Sequence, residues 1–85
     1  MKVTVRYFAG LRESLGRDFE ELELPAGVAT VAALRAHLRA RGGAYAEALA
    51  EKKLVRSAVN QDMVKPAAAV RAGDEVAFFP PVTGG

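Results

Sequence analysis

Apolar and polar residues alternate from Lys2 to Phe8, with Val3, Val5 and Tyr7 on one side and Thr4, Arg6 and Phe8 on the other. A period of two in β-branched and aromatic residues predicts a strand. The pattern breaks over Ala9 to Gly16, where Leu11 and Leu15 fall four apart and a glycine follows, the spacing of a helical turn. Phe19, Leu22 and Leu24, set among Glu20, Glu21 and Glu23, read as a second strand stopped by Pro25. Its alternation fails at Glu20-Glu21, which is read as a bulge. Thr30 is a good N-cap for the next segment, where Val31, Leu34 and Leu38 form one helical stripe. Arg35, His37, Arg39 and Arg41 are placed mostly outward, and Gly42-Gly43 ends this helix. An alanine-rich piece from Ala44 to about Lys52 carries Tyr45 and Leu49 as its apolar pair. Leu54 to Val59 reads as a third strand, Asn60-Gln61-Asp62 as a turn, and Met63-Val64 as a brief extended piece. After a turn at Ala72-Gly73-Asp74, Glu75 to Phe79 is the last strand, closed by Pro80-Pro81.

The order is hairpin, helix, strand, strand. Strands joined by a short connection pair antiparallel, and a helix must cross over before a parallel strand can join. The architecture predicted is α+β: a ubiquitin-like β-grasp, with a mixed four- to five-stranded sheet packed on one main helix plus a short second helix. A ferredoxin-like alternative needs a further full helix between the last strands, and residues 65–74, with Pro66 and Gly73, do not offer one. With 85 residues, the chain suits one domain over 1–85, from which residues 80–85 project as a tail.

Composition narrows the chemistry. The absence of cysteine excludes disulfides, thiolate metal sites and a thiol nucleophile, and fits a reducing, cytoplasmic location. Twelve basic residues against ten acidic ones, interleaved along the chain, form no one-sided patch for nucleic acid. No apolar run approaches the roughly 20 residues of a membrane span. The sole histidine, His37, lies among arginines, and Ser14 and Ser57 have no histidine near them in sequence. Neither a nucleophile–base pair nor a metal site is expected.

The tail is where chemistry concentrates. Each proline of Pro80-Pro81 lacks an N–H, so the ladder ends there, and the pair favours an extended stalk. Val82, Thr83, Gly84 and Gly85 add a reach of roughly 13 Å. Two glycines without Cβ atoms suit a channel too narrow for side chains. A terminal carboxylate becomes an acyl donor only when its oxygen is made a leaving group, as adenylation does. No Gly-rich phosphate loop followed by Lys-Ser/Thr is present, so that step is assigned to another enzyme.

The stretch Gly73 to Gly85, Gly-Asp-Glu-Val-Ala-Phe-Phe-Pro-Pro-Val-Thr-Gly-Gly, resembles the C-terminal signature of the molybdopterin synthase small-subunit family. Phe8-Ala9-Gly10-Leu11-Arg12-Glu13 with Leu15-Gly16, and Ala58-Val59-Asn60-Gln61, are similar to two supporting motifs of that family. Met63 stands where the family often has Leu. The resemblance implies a sulfur carrier that binds no cofactor. A ubiquitin-activating-type adenylyltransferase would join AMP to the Gly85 carboxylate, and a sulfur donor protein would convert it to a thiocarboxylate. The tail would then enter the synthase large subunit, which holds the catalytic side chains, and deliver sulfur to cyclic pyranopterin monophosphate within a heterotetramer. Phe8, Met63 and Phe79 match positions that contact the large subunit. Arg12 and Glu13 match a motif read as touching the activating enzyme or as a solvated turn. A thiazole-synthesis sulfur carrier, a ubiquitin-like modifier and a non-covalent β-grasp module remain as alternatives.

Overall fold

The computed structural model describes residues 1–81. The first strand, β1 (Lys2–Tyr7), leads into a short helix, α1 (Ala9–Leu15), and then to β2 (Phe19–Glu23). Helices α2 (Val31–Arg39) and α3 (Gly43–Ala48) precede β3 (Arg56–Val59), β4 (Asp62–Val64) and β5 (Glu75–Phe79). The strands form one mixed sheet in the order β2-β1-β5-β3-β4, parallel only between β1 and β5. This is the predicted β-grasp with its sheet at five strands. The expected turn after β1 is a third helix, stopped at Gly16, whose φ of 73° suits a residue without a Cβ.

One face of the sheet carries the core. Val3, Val5 and Tyr7 of β1 and Val76 and Phe78 of β5 cluster with Leu34 and Leu38 of α2. Three donors at the start of α2 that no helical carbonyl can reach are satisfied from outside. The Thr30 hydroxyl accepts from Ala33 N at 3.1 Å, and Val31 N and Ala32 N donate to Ala68 O and Pro66 O. The irregular segment between β4 and β5 is thereby tied to the helix. Asn60 and Gln61, with φ of 49° and 72°, turn β3 into β4, so Asp62 opens the strand instead of lying in the turn. The Asn60 side chain donates to Asp74 Oδ1 and accepts from Glu75 N, which fastens that turn to β5.

Three further sequence expectations are corrected. No bulge occurs in β2: its residues pair continuously with β1, from Lys2 opposite Glu23 to Arg6 opposite Phe19. The apparent break in alternation is a carboxylate placed inward. Leu22 and Leu24 are buried, and the same alternation turns Glu20 to the core side and Phe19 out. Glu20 is left with a side chain only 9% exposed. Four donors make that position tolerable: Tyr7 Oη at 2.8 Å, Tyr45 Oη at 2.7 Å, Arg41 at 2.8 Å and Arg17 at 3.0 Å. Burial alone would raise its pKa, but hydrogen bonds from Arg41, Tyr45 and Tyr7 prevail and hold it below the usual carboxylate value. Tyr7 is pushed far above the ordinary phenol range, first by burial and then by donating to this anion. Tyr45 is raised for the same two reasons.

The second correction concerns Arg35. It is half-buried and donates to the carbonyls of Leu49, Ala50 and Lys53, so it joins α2 to the chain leaving α3. Burial lowers its pKa, with Arg39 adding to the effect. The third is the start of β3. Leu54 and Val55 precede the strand, and Leu54 is 79% exposed.

Candidate functional site

The face turned away from the helices follows from the same alternation. Pairing sets Phe19, Arg6, Ala77, Ala58 and Met63 in one row across all five strands, with Arg56 opposite Phe79 in the next row. Ala58 and Ala77 are buried by their neighbours and form a low floor. Larger side chains stand around it: Met63 is 59% exposed and Phe79 half-buried. Phe8 lies just beyond β1, with extended φ and ψ of −123° and 157°, and donates its N–H to Phe78 O. Ala9, at a φ of 52°, then redirects the chain into α1. Phe8 is 39% exposed, and the Arg6 guanidinium carbon lies 5.4 Å from its ring centroid. Arg6 also faces Glu75 at 3.7 Å. The structure therefore places Phe8, Met63 and Phe79 on one face.

The tail leaves from that region. Pro80 and Pro81 follow β5 outside any strand and are half-buried. Pro80 borders a cleft of about 240 Å³ that also touches Leu11, Ser14, Ala48 and Leu54. Arg12 and Glu13 are exposed on α1 and form no ion pair among the described residues. The expected stalk residues Val82 and Thr83, with Gly84 and Gly85, lie outside the described residues. His37 is half-buried on α2, Ser14 is exposed beside the cleft, and Ser57 is buried in β3. No group of three or more His, Asp or Glu side chains gathers among the described residues. This surface can dock a partner.

Sequence reasoning missed Phe19, which it grouped with Leu22 and Leu24. Counting back in twos from the two leucines would have turned Phe19 outward and Glu20 inward. No helix of the described residues is long and apolar enough to cross a membrane.

The ThiS family model matches residues 5–85, a span that includes the tail. The molybdopterin synthase sulfur carrier subunit of Escherichia coli (strain K12) is 47% identical over 98% of this chain and 99% of its own length. Among solved structures, molybdopterin converting factor subunit 1 from Pyrococcus furiosus superposes with a TM-score of 0.78. It is 36% identical and covers 96% of this chain and 99% of its own. SAMP1 from Haloferax volcanii, at 30% identity and complete coverage of both chains, has a TM-score of 0.71. The chain belongs to the ThiS family and, within it, is a sulfur carrier of the molybdopterin synthase type.

Proposed function

We propose that this chain carries sulfur on Gly85 as a thiocarboxylate and delivers it inside the large subunit of molybdopterin synthase. The observation that carries the reading is the exit of Pro80-Pro81 directly after the half-buried Phe79, on the face that also carries the exposed Phe8 and Met63, in a chain whose family match continues to Gly85. In the loading step the Gly85 carboxylate attacks the α-phosphorus of ATP and pyrophosphate leaves. Hydrosulfide supplied by the sulfur donor then attacks the acyl carbon, AMP departs with the bridging oxygen, and loss of the S–H proton leaves the thiocarboxylate. In delivery, the thiocarboxylate sulfur bonds to a side-chain carbon of cyclic pyranopterin monophosphate as the carbon–oxygen bond at that carbon breaks and its oxygen departs. Water then cleaves the acyl–sulfur bond and restores the carboxylate. ATP, sulfur donor and catalytic side chains all come from partners: a ubiquitin-activating-type adenylyltransferase, a sulfur donor protein and the large subunit, the last in a heterotetramer. Cytoplasmic location, where these soluble substrates are made, is part of the proposal. Arg12 and Glu13, exposed and unpaired among the described residues, are assigned to contact with the activating enzyme.

The test is intact mass after incubation with ATP, an activating enzyme and a sulfur source competent on the E. coli carrier. The mass should rise by the difference between sulfur and oxygen, and deletion of Gly85 should abolish the rise. An unchanged mass in the full-length chain would overturn the proposal.

The resemblance to H. volcanii structures of SAMP1, named in full small archaeal modifier protein 1, favours a second use of the same end. A modifier would transfer its adenylated carboxylate to a lysine amine with loss of AMP. Higher-mass adducts that depend on Gly85 and survive reduction would reveal it.

A further inference from the structure

We propose that Phe19 extends the docking surface for the large subunit to the outer edge of the sheet, so that the partner lies across all five strands. This rests on the reading above, in which the Phe8, Met63 and Phe79 face receives that subunit.

Phe19 is 55% exposed on the edge strand β2, directly opposite Arg6. It belongs neither to the core cluster nor to the side chains packed against it. The register of β2 is set by Leu22 and Leu24; sliding it by one would bury Phe19 and free Glu20 at the cost of exposing both leucines. A phenyl ring is therefore held in water by the needs of its neighbours, while the adjacent inward site is filled by a carboxylate with four donors. An aromatic side chain in that situation is suited to burial by a partner.

Continuity identifies the partner. Arg6 stands between Phe19, its cross-strand neighbour, and Phe8, whose ring its guanidinium covers. From Arg6 the row passes over the Ala77 and Ala58 floor to Met63. Four inter-strand gaps make that row ~19 Å long. With strands ~17 Å in length, the whole face projects only about 300 Å². A stable contact covers about 800 Å² of accessible surface on each partner, so a subunit seated on Phe8, Phe79 and Met63 gains contact area by using the face out to β2. The low centre and high rim fit an apolar ridge on that subunit, with Phe19 and Met63 closing on its two sides.

The experiment is titration calorimetry of the full chain with its cognate large subunit, using Phe19→Ser, Phe19→Leu, Phe79→Ser and Glu51→Ser. Glu51 is exposed and pairs with Arg39 of α2, on the side of the sheet that carries the helices, so its variant serves as the control. Phe19→Ser should raise Kd about 5- to 20-fold, Phe19→Leu should stay within about threefold, and Glu51→Ser should change nothing. If Phe79→Ser weakens binding and Phe19→Ser does not, the inference fails while the proposed function stands. If neither weakens it, the proposed docking face itself is wrong. Sedimentation of the free chain supplies the remaining arm: a dimer that Phe19→Ser dissociates would assign the residue to a second copy and overturn the inference.

Discussion

Phe78 and Phe79 are neighbours in β5, yet Phe78 is fully buried in the cluster with Leu34 and Leu38, whereas Phe79 is half-buried on the face without helices. The two sides of the sheet solve different problems with the same alternating backbone. On the covered side, large aliphatic and aromatic groups are packed, and the single inward carboxylate, Glu20, receives four donors. On the open side two alanines lie low between aromatics and a methionine, and the charged groups, Arg6 and Glu75 among them, are partly solvated. Removing a group from the first side disturbs a completed set of contacts. The second side is unfinished in the monomer, and changes there should register in association.

Substitution of Phe78 provides the largest expected effect. Phe78→Ala should cost about 3–5 kcal/mol of stability through the lost burial and the cavity it leaves. Urea unfolding measures it. An equal cost for Phe79→Ala would mean that both faces belong to one core, and the comparison would break.

Glu20 comes next, since its loss leaves the buried Tyr7 hydroxyl without its acceptor. Glu20→Ala should destabilise the fold by about 1–3 kcal/mol near neutral pH. The effect depends on pH in a definite direction. The folded pKa of Glu20 lies below its ordinary value of 4.5, so its contribution is complete above that value and is lost as pH falls through the folded pKa. Wild type and Glu20→Ala should thus converge in thermal midpoint under acid conditions. At the alkaline end Tyr7 acts with the opposite sign: its raised pKa contributes stability that is intact below about pH 10 and is lost as pH rises further. A constant gap between the two proteins from pH 7 to acid would show that Glu20 acts by packing alone.

Phe79→Ala should keep a cooperative unfolding transition and weaken large-subunit binding by more than ~1 kcal/mol, read by calorimetry. The smallest effect is expected off both faces. Leu54→Ser should leave stability within about 0.5 kcal/mol of wild type, because that side chain is almost wholly solvated. A larger loss would give the Pro80 cleft a structural part that its exposed wall does not indicate.

Much of this was legible from spacing. The strand of Val3, Val5 and Tyr7, the stripe of Val31, Leu34 and Leu38 and the cap at Thr30 each stand in the structure as local pattern implies. The placement of Phe8 and Phe79 on one face follows from alternation once the covered side of β1 and β5 is known, and strand pairing adds Met63 to it. The readings that failed share a cause. An inward Glu20 looks like an error until Tyr7, 13 positions away, and Tyr45, 25 positions away, are brought to it. Arg35 looks like a solvated helix residue until the carbonyls after α3 are brought under it.

The chain order of apolar and polar residues by itself determined the element types, the single core and the proline-terminated last strand. Those depend on periods of two and 3.6, which act between residues close in sequence. Tertiary structure decided which residue of β2 faces in, which arginine ties α2 to the chain after α3 and how far the open face extends. Those outcomes depend on hydrogen-bond donors and strand partners supplied by distant segments, and local spacing carries no record of them.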